Sequence, residues 1–334
     1  MKPGILVTRA MFPEVLERLR ETFDVIDNQA DVVYPPEALA ERLQGRVGLL
    51  SNAADTINAE LISRVPTLRA VCNMAVGYNN FDLPAMTRAG ILATNTPDIL
   101  TETTADFGWA LLMAAARRVP ESEHWLRAGH WKRWTYDMFL GAEVYGSTLG
   151  ILGMGRIGQA LARRASGFSM RVIYHNRSRL TPEIERDTRA TYVSKEELLK
   201  QADHLVLVLP YSKESHHAIG AAELAQMKPT ATLVNLARGG IVDDAALAQA
   251  LADKRIFAAG LDVYEGEPKV HPALLEAEHV ALTPHIASAT LGTRLGMANM
   301  AADNLIAALG FGPHAGQPPN LLNPDALAVP RAAS

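Results

Sequence analysis

The stretch STLGILGMGRIGQALARR, Ser147 to Arg164, decides how this chain folds. It sets Gly153, Gly155 and Gly158 in G-x-G-x-x-G spacing behind the apolar run LGIL and ahead of a helix-forming sequence. The spacing alone is a weak signal, because an ordinary glycine turn in an α/β sheet also matches it. The context sharpens it, since a further apolar run, MRVIYHN, begins at Met170 and completes a strand–helix–strand order. In that order Gly153 permits the tight turn, Gly155 lets the backbone approach a pyrophosphate, and Gly158 lets the helix pack on the strand. The N–H groups of the helix start, around Arg156 and Ile157, are then placed to hold the phosphates. The stretch predicts a dinucleotide-binding unit.

Working outward, short apolar runs alternate with amphipathic stretches on both sides. Upstream, GILVTR, DVIDN, VGLLSN and LRAVCNMA read as strands, and PEVLERLRETF, PPEALAERLQ and NAELISRVP as helices. Downstream of the glycine stretch, MRVIYHN, HLVLVLP, ATLVNLA, FAAGLDV and HVALTPH are strand candidates, and a last helix covers roughly Leu291 to Leu309. Between the two series lies one long helical segment, Thr101 to Ala128, whose opening TETTAD suits a helix start. Such alternation implies an α/β protein with two doubly wound parallel sheets covered by helices. The expected division is a discontinuous substrate domain, 1–99 plus 286–334, around a nucleotide-binding domain, 100–285.

The 334 residues are 48% hydrophobic with a formal net charge of −4, which gives no basic field for nucleic acid or an anionic membrane. The arginine pairs Arg117–Arg118 and Arg163–Arg164 read as solvated helix faces. The first residues, MKPGILVTRAMFPE, lack the apolar core of a signal peptide, and no window approaches a membrane span, so a cytoplasmic protein is expected. The single cysteine, Cys72, sits in LRAVCNMAV and reads as a buried strand thiol. The tail NPDALAVPRAAS reads as the only loose segment.

The stretch VIYHNRSRL, Val172 to Leu180, stands where a dinucleotide site usually shows an acidic residue for the ribose hydroxyls. Here that position is Asn176, followed by Arg177, Ser178 and Arg179. Removing the carboxylate removes its repulsion of a 2′-phosphate, and guanidinium forks with a serine donor suit one. A basic surface loop is the plainer reading. The pattern predicts NADP(H) in preference to NAD(H).

Three motifs fall at the ends of later strands, where a doubly wound sheet places its ligands: NLARGGIVD with Arg238, GLDVYEGEP with Glu267, and LTPHIASAT with His285. Singly each is dull; together they are specific. With them, from CNMAVGYNNFD through the glycine loop to the His285 strand, the chain closely resembles the D-isomer-specific 2-hydroxyacid dehydrogenases, nearest the glyoxylate/hydroxypyruvate reductase branch. The resemblance implies a flavodoxin-like substrate domain and a Rossmann nucleotide domain flanking a cleft, a homodimer, and an Arg238–Glu267–His285 catalytic set. In the implied reaction His285 gives a proton to the carbonyl of a small 2-oxo acid, Glu267 orients the ring and favours its protonated form, and Arg238 binds the substrate carboxylate.

The resemblance also implies that backbone N–H groups of Val76 and Gly77 hold that carboxylate and that Asn52 and Ala53 border the substrate. Thr104, Ala237 and Asp262 become cofactor neighbours, Asp262 on the nicotinamide carboxamide or else as a structural strand-end carboxylate. His216 and His217 are not read as a metal site, because adjacent residues point differently and no cysteine or acidic cluster accompanies them. Trp131 and Trp134 read as packing or dimer-contact residues rather than a stacking platform for nucleic acid. The implied activity is NADPH-dependent reduction of glyoxylate to glycolate and of hydroxypyruvate to D-glycerate. Rivals are 2-ketogluconate reduction, NAD-linked phosphoglycerate oxidation, formate oxidation, and a nucleotide-sensing corepressor-like binding protein with no turnover.

Overall fold

In the computed structural model, which describes residues 1–330, the apolar runs form strands that pair in parallel throughout. The chain divides into two compact units, Met1–Leu100 with the chain from Thr290 onward, and Thr101–Ala289.

In the first unit β1 (Gly4–Val7), β2 (Asp24–Ile26), β3 (Gly48–Ser51), β4 (Ala70–Asn73) and β5 (Leu92–Thr94) form one sheet in the order β2-β1-β3-β4-β5. Side chains alternate across a strand, so both faces of such a sheet need cover. Ile5 and Val7 face a cluster with Val15, Leu19 and the Leu291–Ala308 helix, through Ala298, Ala301 and Leu305. Leu6, on the opposite face, joins Leu39, Leu61, Val71 and Met86. Cys72 is fully buried in β4, and burial pushes its thiol up to about 12, which makes it inert.

In the second unit β6 (Thr148–Leu152), β7 (Arg171–His175), β8 (Ala190–Tyr192), β9 (His204–Leu207), β10 (Thr232–Asn235), β11 (Ala258–Leu261) and β12 (Val280–Leu282) run in the order β12-β11-β10-β9-β6-β7-β8. The direction of winding reverses between β6 and β9. Ligands of open α/β sheets bind beyond the carboxyl ends of strands at such a reversal, and the glycine loop leaves β6 there.

The structure departs from the sequence reading at several elements. Two three-residue strands, β5 and β8, and the short helix Leu83–Arg88 are additional. The single long helix breaks into Thr101–Ala116 and Val119–Arg127. Arg118 takes a left-handed conformation at φ 54°, and Pro120, lacking an N–H, stands in the first turn of the new helix. Three of these four arginines are ion-paired rather than merely solvated: Arg164 with Glu102 and Asp106, Arg163 with Glu102, Arg118 with Glu121.

The tail is fixed as far as Pro330. Asn323 is buried and donates to the Ile91 carbonyl while accepting from Ala93 N–H, and Pro324–Ala328 forms a 3₁₀ turn over buried Ala326. Its last four residues, 331–334, lie outside the described residues. Among the described residues no helix is long and apolar enough to cross a membrane.

Candidate active site

The glycine loop is shaped by contacts that exclude side chains. Gly153 has φ 102°, and a Cβ there would lie 2.6 Å from the Leu209 nitrogen. A Cβ on Gly158 would lie 2.5 Å from the Gly153 carbonyl oxygen, so only glycine lets this helix reach its strand. Around Gly155 a Cβ would meet no protein atom within 4 Å. The same residue is the N-cap of the helix Arg156–Ala165 and offers no capping side chain to its first turn. The open cradle and donor set fit a dinucleotide pyrophosphate. Ile157 lies in that first turn; Thr104 and Ala237 are both buried in the same unit.

At the end of β7 the Asn176 side chain accepts from Met154 N–H at 2.6 Å, tying this strand end to the glycine loop. Arg177, Ser178 and Arg179 are exposed. The two arginines are not equivalent. Arg179 holds Glu185 through Nε at 2.9 Å and Nη2 at 2.8 Å, and Tyr174 also donates to Glu185, so the Arg179 fork already has an anion. Arg177 also has an acidic neighbour, since its charge helps to hold the Glu214 carboxyl below its ordinary value.

The three motif residues follow the carboxyl ends of adjacent strands, Arg238 after β10, Glu267 after β11 and His285 after β12. Asn235, the last residue of β10, builds the first turn: its Oδ1 accepts from Ala237 N–H and its Nδ2 donates to the Arg238 carbonyl. Arg238 Nη1 donates to the Ala237 carbonyl at 2.7 Å. Burial lowers the Arg238 pKa and the nearby Glu267 charge opposes that, but a guanidinium remains cationic. Behind it, a Cβ on Gly239 would lie 1.7 Å from the Tyr264 carbonyl oxygen, so glycine lets the Arg238 turn close on the loop that carries Glu267.

Glu267 accepts from Tyr264 N–H at 2.9 Å through Oε1 and faces His285 Nδ1 at 2.9 Å through Oε2. Burial alone would raise its pKa. The hydrogen bond from His285, the charge of that ring, the Tyr264 N–H and the Arg238 charge outweigh burial and hold the carboxyl below its ordinary value. With Nδ1 engaged, Nε2 is the ring atom presented for chemistry. His285 itself sits at φ 54°, a conformation uncommon for a residue with a side chain. Asp262, at 1% exposure, supports it from both sides: Oδ1 accepts from the Thr283 hydroxyl and Ile286 N–H, and Oδ2 from Ala287 N–H.

In the first unit the loop after β3 places Asn52 and Ala53, and the turn after β4 places Val76 and Gly77. The carbonyl oxygens of Ala75, Val76 and Gly77 are taken by Thr96 N–H, the Asn95 amide and the Asn73 amide.

The grounds for setting aside His216 and His217 as metal ligands need correction. The two rings stack with centroids 3.9 Å apart and planes 23° apart, and Glu265 joins them, with ligand atoms of all three within 4.8 Å of one another. An ion about 2.1 Å from a nitrogen of each ring would have to lie near both ring planes. Stacked rings do not offer that. As arranged, His217 Nε2 faces the Glu265 carboxylate at 3.1 Å and His216 Nδ1 faces the Tyr211 hydroxyl at 3.2 Å. Trp131 and Trp134 are 55% and 65% exposed, so neither is a core-packing residue of its own unit.

Sequence reasoning missed Asn73, Asn80, Asn235 and Tyr264, which touch the site only through backbone groups. Their visible signal is polarity at the end of an apolar run, as in AVCN and TLVN.

Residues 109–287 match the family model described as D-isomer specific 2-hydroxyacid dehydrogenase, NAD binding domain. The chain is 47% identical over 333 residues to a glyoxylate reductase of Thermococcus gammatolerans and 48% identical over 337 residues to one of Aeropyrum pernix, each match covering 98% of both chains. Among solved structures it resembles an NADPH-dependent glyoxylate/hydroxypyruvate reductase from Sinorhizobium meliloti in complex with NADP and malonate. The TM-score is 0.87 and the identity 33%, over the whole of both chains.

Proposed function

The chain belongs to the D-isomer-specific 2-hydroxyacid dehydrogenase family, and from that premise we propose that it reduces small 2-oxo acids, glyoxylate to glycolate and hydroxypyruvate to D-glycerate. The observation that carries this reading is the 2.9 Å contact between His285 Nδ1 and Glu267 Oε2, with the Arg238 charge acting on the same carboxylate. A bound reduced nicotinamide supplies the hydride. The proton comes from His285: Nε2 gives it to the carbonyl oxygen in reduction and takes it back in oxidation. Glu267 holds the ring by Nδ1 and balances the charge of its protonated form. Arg238 pairs with the substrate carboxylate and draws electron density toward the carbonyl oxygen. The N–H groups of Val76 and Gly77 hold the same carboxylate, and Asn52 and Ala53 border the substituent beyond the carbonyl.

NADPH is the preferred donor in this reading. Asn176 supplies no negative charge against a 2′-phosphate, and Arg177 supplies an exposed positive one. Gly153, Gly155, Arg156, Ile157 and Gly158 hold the pyrophosphate, with Ser178, Thr104, Ala237 and Asp262 among the cofactor's neighbours. The enzyme acts as a homodimer. Support comes from the helix Val119–Arg127, which buries none of its residues within the chain, and from the exposed Trp131, Trp134, Tyr136 and Leu140 that follow it.

The test is the loss of NADPH absorbance with glyoxylate, hydroxypyruvate and 2-ketogluconate. Glyoxylate and hydroxypyruvate should be turned over, and His285→Ala should lower kcat by about 100-fold or more while NADPH still binds. A wild-type chain that binds NADPH but consumes none with any 2-oxo acid would be a nucleotide-binding protein instead, and a near-normal His285→Ala enzyme would remove His285 from the chemistry.

A further inference from the structure

The turn Ala75–Tyr78 has an unusual backbone arrangement. A trans peptide points its C=O and N–H in opposite directions. The Ala75 carbonyl is held by Thr96 N–H at 3.0 Å, the Val76 carbonyl by Asn95 Nδ2 at 2.8 Å, and the Gly77 carbonyl by Asn73 Nδ2 at 2.9 Å. Three successive carbonyls are therefore held, and each holds in place the peptide whose N–H belongs to Val76, Gly77 or Tyr78. None of those three donates to an acceptor among the described residues. Unpaired N–H groups on peptides held in this way are donors that an anion can use.

Asn73 is the interior anchor, with no exposed surface. Its Nδ2 also reaches Asn80 Oδ1 at 3.2 Å, and Asn80 Nδ2 donates to the carbonyls of Asn52 at 3.0 Å and Asp55 at 2.8 Å. Asp55 in turn accepts from Asn52 N–H and the Thr8 hydroxyl. Two side-chain amides thus join the turn that bears the N–H donors to the loop that bears Asn52 and Ala53. Asn73 is fully buried and Asn80 half-buried, and the Nδ2 of each donates within the chain.

We propose that Asn73 and Asn80 are positioning residues: their amide relay aims the Val76 and Gly77 N–H groups at the substrate carboxylate and locks that turn to the Asn52–Ala53 loop. This rests on the 2-oxo acid reading. With the Asn73 amide gone, the Gly77 carbonyl is free to rotate, and a carbonyl dipole facing a carboxylate repels it. The loss then falls on recognition of the acid rather than on NADPH or on the proton transfer.

Asn80→Leu is the decisive variant. It is close in size and uncharged, so it adds no repulsion of an anionic acid, but it has no hydrogen to give the Asn52 and Asp55 carbonyls. Asn73→Ala is its companion. Both should raise KM for glyoxylate and Ki for oxamate about tenfold, with kcat at saturation within about threefold and NADPH affinity unchanged. If Asn73→Ala does not fold, Asn80→Leu alone decides. A folded variant with unchanged KM and Ki overturns the relay, and so does a parallel fall in kcat and NADPH affinity, which would mark general loosening. A wild-type chain inactive on every 2-oxo acid is a different failure: it refutes the functional reading on which the relay rests.

Discussion

At the scale of the residue, Glu267 shows how burial and partners compete for one proton. Desolvation pushes its pKa up, but His285, Tyr264 and Arg238 together hold it below the ordinary 4.5. A carboxyl depressed in the folded state contributes stability that is complete above its unfolded value and is lost as the pH falls through its folded one. The unfolding free energy of the wild type minus that of Glu267→Gln, from urea titrations, should therefore be flat from neutrality down toward pH 4.5 and shrink below it. A difference that stays constant into stronger acid would show that the charge of Glu267 is not what the native state favours. Asp262 makes a complementary point. A strand-end aspartate is legible in the sequence, but the sequence does not say that its two oxygens collect a hydroxyl and two N–H groups around His285. Those bonds join groups 21 to 25 residues apart, and no local pattern encodes them.

At the scale of the element, the proposed NADPH preference is tested at the end of β7, whose two arginines should behave differently. Arg179 is engaged by Glu185 in two hydrogen bonds, whereas Arg177 is exposed beside the Asn176 that grips the glycine loop. Arg177→Ala should lower kcat/KM for NADPH about tenfold or more and leave NADH nearly unchanged, while Arg179→Ala should do much less. Equal kcat/KM for the two coenzymes in the wild type would end the preference, and a larger effect at Arg179 would mean that its pairing with Glu185 gives way when the coenzyme binds. From sequence alone both arginines read as phosphate ligands, since Glu185 lies in the next helix and its reach back is invisible in one dimension. The elements themselves were mostly legible where apolar runs were long enough to show a period. LGIL, HLVL and TLVN fall inside strands, whereas β5 and β8 are three residues each, LAT and ATY, with one or two small or polar residues in place of an apolar run. The helix break at Arg118 was hidden because apolar spacing continues across it, although Pro120 marks the place.

At the scale of the whole molecule, the proposed homodimer is tested at the region from Val119 to Tyr145. A nine-residue helix with no buried residue has little to stabilise it alone, since isolated helices shorter than about 12 residues are marginal in water. Local contacts help: Arg118 pairs with Glu121 and lies over the Phe139 ring, and Trp125 meets Phe139 edge to face. They leave Leu126, Trp134, Tyr136 and Leu140 more than half exposed within one stretch of chain. Large apolar side chains exposed together in this way favour a partner surface, and covering about 800 Å² per partner is what a stable interface requires. Light scattering should accordingly give twice the 36.1 kDa chain mass at micromolar concentration. Leu140→Glu combined with Trp134→Glu would bury two unpaired charges at the contact, so the double variant should dissociate on dilution and melt at a temperature that depends on concentration. A wild type that runs as a monomer across that range would refute the pairing and leave the exposed aromatics without a structural purpose. A double variant that stays dimeric would place the contact elsewhere on the surface.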